Sequence, residues 1–183
     1  RVKLTLWLGF FLRLVNAFVN GFYNLSYDAS KDSLGFHLMA VEFSQNLVFF
    51  DVFVLTQIYM YILGIFYFIT TDSLFLGSAL SALGWLASAF ILVRIMRILS
   101  FKMSNQWRVM LIYALIPTSL MYTSVTLRES FQLLFINLAL YAALKIYFHR
   151  SIAHWLVLFL AAVGMGVLHG ALLASGIFII VGT

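Results

Sequence analysis

The sequence predicts an all-α fold, a polytopic bundle of transmembrane helices, and three observations lead to this prediction. Hydrophobic residues make up 64% of the 183 residues and charged residues only 9%, whereas soluble domains average roughly 45–50% and 25%. Several apolar stretches reach the roughly 20 residues that one helical crossing of a bilayer requires. The alternating segments of about ten residues that a β-barrel would need are not found.

Five apolar stretches are long enough to span a bilayer, and a sixth is ambiguous. The ambiguous stretch, residues 47–69, decides the topology, because its crossing would invert the side of every later loop. The five predicted spans are approximately residues 4–23, 75–99, 109–124, 127–148 and 153–181.

The distribution of charge favours five crossings. If residues 47–69 do not cross, one side of the membrane holds most basic residues and the other side holds all the acidic ones, as the positive-inside rule requires. If residues 47–69 crossed, the two sides of the membrane would differ less in their number of basic residues. The inner basic residues are then Arg1, Lys3, Arg94, Arg97, Lys102, Arg108, Lys145 and Arg150, and the outer acidic residues are Asp28, Asp32, Glu42, Asp51, Asp72 and Glu129.

Residues 24–74 are therefore predicted to form one long external loop that contains interfacial helices. We expect an amphipathic helix near residues 33–46 and a membrane-hugging or re-entrant helix near residues 50–69. No internal repeat or hydrophilic linker is found. Residues 1–183 are accordingly predicted to be a single transmembrane domain.

The ends of the chain suggest that more sequence surrounds it. The first residue is Arg1 rather than Met, and the last stretch is apolar up to Thr183. We expect the chain to be the N-terminal part of a longer module, although processing would also explain its start.

Several function classes lack sequence support. The absence of cysteine excludes disulfides, thiolate metal sites and cysteine nucleophiles. The basic residues are divided among short loops and form no contiguous stripe, so no nucleic-acid partner is expected. A P-loop, zinc-type histidine spacing, a nucleotide-binding glycine fingerprint and a nucleophile elbow are also missing.

Two carboxylates follow the first span, at the predicted membrane surface. Asp32 precedes a helical pattern in which Phe36 and Ala40 recur at intervals of four, so its carboxylate would lie at a helix N-terminus. It is either an N-cap, or a general base or metal ligand that faces a cavity. Asp28 is the second candidate, and His37 could polarise a phosphate or sugar hydroxyl or could be structural.

An adjacent Arg128 and Glu129 open the fourth predicted span. The helix macrodipole favours an acid in a first turn, which is a sufficient structural explanation for Glu129. The macrodipole does not favour Arg128. Its guanidinium would therefore either pair with a loop carboxylate or clamp an anionic group such as phosphate.

Two polar residues lie within predicted spans. Arg13, midway through the first span, requires a partner such as Asp51 or a water-filled cavity. His169 lies between Gly166 and Gly170, a small-xxx-small pair that favours close helix packing. In an alternative function, that of a transporter or flippase subunit, these polar residues would mark a pathway through the membrane.

The layout resembles that of the GT-C fold membrane glycosyltransferases, which include protein O-mannosyltransferases and lipid A aminoarabinose transferases. The run Asp32-Ser33-Leu34-Gly35-Phe36-His37-Leu38-Met39-Ala40 looks like the family's Asp-Ala-x-x-aromatic-His-x-x-Ala motif, with Ser33 where Ala is usual. Ala114-Leu115-Ile116-Pro117 and Leu127-Arg128-Glu129 look like the Ala-Leu-x-Pro and Leu-Arg-Glu elements of some bacterial members. The Asp-Glu pair of the protein mannosyltransferases is absent.

The resemblance implies an enzyme of cell-envelope polysaccharide or glycoconjugate biosynthesis in the bacterial inner (plasma) membrane, with its active site facing outward. It would move a sugar from a polyprenyl-phosphate-linked donor to a hydroxyl of an acceptor glycan, lipid or protein. Asp32, with Asp28 second, is then the catalytic candidate, and Arg128 and His37 would bind the donor phosphate. Glu129 and Asp28 are candidate ligands for a divalent cation, Mg or Mn.

Overall fold

The structure is a computed structural model that describes residues 1–23, 30–47, 58–150 and 152–183. Every regular element within these ranges is an α-helix, so the predicted all-α class is confirmed. The helices are α1 (Val2–Tyr23), α2 (Ser30–Asn46), α3 (Ile58–Ile69), α4 (Leu74–Ile98), α5 (Met103–Leu115), α6 (Pro117–Tyr122), α7 (Glu129–His149), α8 (Ala153–Leu168) and α9 (Gly170–Val181).

Three of these helices, α1, α4 and α7, are long and apolar enough to cross a membrane. The outward face of α1 is apolar, since Leu4 is 74% exposed and Phe22 is 63% exposed. Its polar residues Arg13 and Asn20 are instead buried. Polar side chains inside and apolar side chains outside are typical of a helical bundle surrounded by lipid.

Helix α1 lies between α4 and α5, and a glycine permits the close contact. A Cβ atom on Gly9 would lie 2.7 Å from the Trp85 ring and 2.8 Å from the side chain of Ala114. Trp85 is fully buried, and its ring stacks on that of Tyr113 at 5.7 Å between centroids. This cluster holds the first helix against the centre of the bundle.

Helix α7 packs along α4, and α8 packs along α7. Asn137 Nδ2 donates a hydrogen bond of 2.9 Å to Ser88 Oγ, which joins α7 to α4 inside the bundle. Small residues permit close contact between α7 and α8. The buried residues of that contact are Ala139, Ala142, Ile146, Leu158, Ala161 and Met165.

The prediction of a single span over residues 153–181 is wrong. The helix breaks at His169, whose backbone is extended with φ −158° and ψ 113°, and α9 folds back along α8. A Cβ atom on Gly176 would lie 2.9 Å from the Ala162 side chain. The small residues therefore serve the contact between the two arms of a hairpin, rather than one continuous helix.

The third predicted span, residues 109–124, begins earlier than expected and is interrupted between α5 and α6. Helix α5 ends at Leu115, and Pro117 is in the first turn of α6. Proline lacks an amide hydrogen and fits the first turn of a helix, where no intrahelical hydrogen bond is lost.

Helices α2 and α3 form an antiparallel pair beside the start of α4. The pair packs closely because Gly64 of α3 lies against Ala40 and Phe43 of α2. Helix α2 begins at Ser30, before the predicted start near residue 33. Asp32 therefore lies inside the first helical turn and not at the N-cap.

Candidate functional site

A buried segment without regular structure, residues 123–128, connects α6 to α7. Thr123 is 1% exposed, Val125 0% and Leu127 2%. Side chains of α1 and α4 bond to it: Asn16 Nδ2 donates to Ser124 Oγ, and Ser81 Oγ donates to the Leu127 carbonyl oxygen at 3.0 Å. Buried backbone groups need hydrogen-bond partners, so these contacts stabilise an irregular segment inside the bundle.

Arg13 links α1 to this segment and to α5 and α6. Its side chain is fully buried, and its guanidinium carbon lies 3.7 Å from the centroid of the Trp85 ring. Neutral groups accept its hydrogen bonds, and the predicted partner Asp51 lies outside the described residues. The acceptors are Thr123 Oγ1 at 2.7 Å, the carbonyl oxygens of Gly9 and Ala114 at 3.0 Å each, and Ser119 Oγ at 3.3 Å.

The buried segment ends where a charged pocket begins, between α2 and the start of α7. The pocket has a volume of about 360 Å³. Three residues singled out in the sequence, Asp32, Arg128 and Glu129, line it together although α2 and α7 are distant in sequence. Its complete lining is Lys31, Asp32, Gly35, Phe36, Met39, Arg128 and Glu129.

The two basic groups and the aspartate of the pocket reach it from two directions. Lys31 and Asp32 are exposed side chains in the first turn of α2, where the macrodipole favours the carboxylate. The Arg128 guanidinium carbon lies 5.7 Å from the centroid of the Phe36 ring, a cation–π contact that draws it toward α2. An anion in the pocket would thus meet both a lysine and an arginine.

Glu129 contributes an acceptor without an internal partner. Its Oε2 atom is buried and forms no hydrogen bond with any described group. The carboxylate interacts electrostatically with Arg128, Asp32 and His169. Because a buried acceptor without a donor is costly, a hydroxyl of a ligand that bonded to Oε2 would remove that cost.

His169 interacts electrostatically with the Glu129 carboxylate of this pocket. The sequence did not predict this interaction. The α8–α9 turn carries the exposed side chain of His169 to the Glu129 end of α7. In the sequence, Gly166 and Gly170 favour a packing role for His169. A polar residue that interrupts a long apolar stretch was the available signal for a turn.

His37 does not line the charged pocket. Its Nδ1 atom lies 2.9 Å from the Tyr67 hydroxyl oxygen, so the imidazole contacts α3 on another face of α2. Burial lowers the pKa of His37 below its usual value, and the Asp72 carboxylate partly opposes this effect. The donor-phosphate role predicted for His37 would require a different orientation of the side chain.

Of the two predicted metal ligands, only Glu129 lies within the described part of the chain. Among the described residues, no group of three His, Cys, Asp or Glu side chains could hold a metal ion. Asp28, the other candidate metal ligand and the second catalytic candidate, lies outside the described residues.

An apolar cavity adjoins the charged pocket. Its volume is about 510 Å³, and Glu129 lines both spaces. Much of its wall is formed by Ile116, Tyr122, Leu133, Ile136 and Leu172. The charged pocket and the apolar cavity thus share the Glu129 carboxylate.

Comparison of the chain with protein-family models, with curated proteins and with solved structures finds no significant match. The geometry of the two adjoining pockets and the sequence motifs are thus the basis for a functional proposal.

Proposed function

We propose that the chain is a membrane glycosyltransferase that moves a sugar from a polyprenyl-phosphate-linked donor to an acceptor hydroxyl. The observation that carries this proposal is that Asp32 lines one pocket with Arg128 and Glu129. Asp32, Arg128 and Glu129 belong to two of the three sequence elements that resemble the GT-C family. A carboxylate opposite a guanidinium is suited to a reaction that releases a proton and a phosphate.

The proposed orientation follows from the helix directions and the charges. Helices α1, α4, α7 and α8 and the broken pair α5–α6 would make five crossings, while α9 turns back from the outer end of α8. The pair α2–α3 would lie at the outer surface, and the basic loops inside. The charged pocket would then face outward from a bacterial plasma membrane.

The proposed chemistry is an inverting substitution. The acceptor hydroxyl oxygen forms a bond to the anomeric carbon of the sugar, while the bond between that carbon and the phosphate oxygen breaks. Asp32 takes the hydroxyl proton, and the electron pair of the broken bond leaves with the polyprenyl phosphate. Arg128 stabilises the negative charge that develops on the phosphate.

The other charged groups would hold the reactants. Lys31 lines the same pocket as Arg128 and would neutralise the second negative charge of the departing phosphate. The Glu129 Oε2 atom, which has no hydrogen-bond partner among the described residues, would accept a hydrogen bond from a sugar hydroxyl. Each step uses side chains of this chain alone.

The apolar cavity supports a lipid-linked donor in particular. A polyprenyl phosphate needs a polar site for its phosphate directly beside an apolar site for its chain. The two pockets share Glu129, which satisfies this requirement. A soluble nucleotide sugar carries no comparable apolar chain.

The test is sugar transfer by the purified protein in proteoliposomes. Polyprenyl phosphates that carry different radiolabelled sugars are added with candidate acceptors, and released polyprenyl phosphate and labelled product are measured together. We expect both products to appear in equal amounts with at least one donor. Binding of donors without either product, together with movement of donor across the bilayer, would favour the flippase alternative.

A further inference from the structure

A third cavity lies at the opposite end of the bundle from the charged pocket. It opens between the start of α1 and the end of α4 and has a volume of about 400 Å³. No acidic side chain belongs to its lining as the structure describes it. Its cationic side chains are Arg1, Lys3, Arg94 and Arg97.

Helix electrostatics explain only part of this concentration of charge. Arg97 lies in the last turn of α4, where the macrodipole favours a cation. Arg1 and Lys3 lie at the start of α1, where the macrodipole disfavours a cation. The positive-inside rule accounts for the side of the membrane, but not for the convergence of these residues on one cavity.

The same cavity has apolar walls. Leu6 and Val93 are buried at 3% and 7% exposure, whereas Phe90 and Met103 remain 49% and 68% exposed. All of these residues line the cavity together with the cations. A ligand that fits must combine a negative charge with apolar surface.

We infer that this cavity binds an anionic phospholipid of the cytoplasmic leaflet. Arg94 and Arg97, one turn apart on α4, bind the lipid phosphate with Lys3 of α1. The acyl chain follows the exposed Phe90 and Met103. Basic pockets between transmembrane helices suit such head groups, and this inference requires membrane insertion but not sugar transfer.

The experiment is native mass spectrometry of the delipidated protein in detergent, titrated with dioleoyl phosphatidylglycerol or dioleoyl phosphatidylcholine. We expect the wild-type protein to bind phosphatidylglycerol more tightly than phosphatidylcholine. The double variant Arg94→Gln/Arg97→Gln should lose about fivefold in affinity for each charge removed. Lys3→Gln, on the other helix, should lose about fivefold alone.

The matched control is Lys102→Gln/Arg108→Gln. It removes the same charge from exposed residues at the same end of the bundle, and neither residue lines the cavity. We expect its affinity for phosphatidylglycerol to stay within about twofold of wild type. If the two double variants lost equal affinity for phosphatidylglycerol, the lipid would be attracted by the general positive charge of this surface. That result would overturn the proposed site.

Two further results would overturn the inference. One is equal affinity of the wild-type protein for the two lipids. The other is full competition by free glycerol 3-phosphate, which would identify a soluble phosphate as the ligand. Unfolding temperatures of all variants are measured in parallel, and Lys3→Gln decides the outcome if the double variant does not fold.

Discussion

Arg13 Nε donates a hydrogen bond of 2.7 Å to Thr123 Oγ1, and this bond ties the first helix to the segment that leads to the charged pocket. Five residues beyond Thr123, Arg128 lines that pocket. The buried cation thus has a structural explanation, because it holds an irregular buried segment between helices. Among the described residues its acceptors are neutral.

Arg13→Lys should destabilise the protein although it preserves the charge. A lysine amine cannot reach the separated acceptors on Thr123, Ala114 and Ser119, nor stack flat on Trp85. We expect the loss of about 2–4 kcal/mol of unfolding free energy in detergent, as for a buried charge that loses partners. Arg108→Lys, at an exposed position, is the control and should unfold like wild type. An Arg13→Lys variant as stable as that control would mean that these bonds contribute little.

The hairpin of α8 and α9 predicts an outward position for residue 169. Since the chain has no cysteine, a His169→Cys variant can be labelled alone with an impermeant thiol reagent. We expect labelling from the outside at positions 169 and 72, and none at position 102. A single helix over residues 153–181 would place position 169 near the bilayer centre, so resistance to the reagent would contradict the hairpin.

The fold class was predictable because apolar length and charge asymmetry are properties of local sequence. The break between α8 and α9 was not, because a glycine-rich apolar stretch fits one long helix as well as two short ones. The partners of Arg13 were not predictable either. Thr123 is 110 residues away, and a lone arginine in a span indicates only that some acceptor exists.

The candidate site was only partly predictable from the sequence. The motifs containing Asp32 and Arg128 each indicated a charged helix start, and the packing of α2 near α7 determines that they share a pocket. His37 belonged to the same motif, yet its side chain contacts Tyr67 instead. A sequence pattern places residues along a helix but does not show which face meets a ligand.

The stability of the α2–α3 pair should depend on the protonation of His37. Burial lowers the pKa of the folded-state imidazole relative to about 6.5 in the unfolded chain. The unfolded state therefore binds the proton first as the pH falls, so stability should decrease below about pH 6.5 and level off below the folded-state pKa. His37→Asn should flatten the dependence of the unfolding temperature between pH 7 and pH 5. An unchanged slope in that variant would assign the effect to another group.

Arg128→Lys should weaken donor binding. The lysine keeps the charge but loses the planar pair of donors that a phosphate accepts in bidentate fashion. We expect roughly tenfold or greater loss of affinity for the polyprenyl-phosphate donor, measured with a labelled donor in detergent. Lys31→Arg, in the same pocket, keeps a cation there and should change affinity less. Unaltered donor affinity and turnover in Arg128→Lys would remove Arg128 from the proposed site.

The turnover of Asp32→Asn is the most direct test of the proposed site. Asparagine preserves the size of the side chain but cannot take the proton of the acceptor hydroxyl, so turnover should fall roughly 10²–10⁴-fold. Donor affinity should persist, and stability should decrease by no more than about 1 kcal/mol from the lost interaction with the helix dipole. Glu42→Gln, an exposed acid of the same helix, is the matched control, and Asp28→Asn measured beside it separates the two predicted acids. Full turnover in Asp32→Asn would contradict the assignment of Asp32 as the general base, and full turnover in both aspartate variants would contradict acid-dependent sugar transfer by this chain.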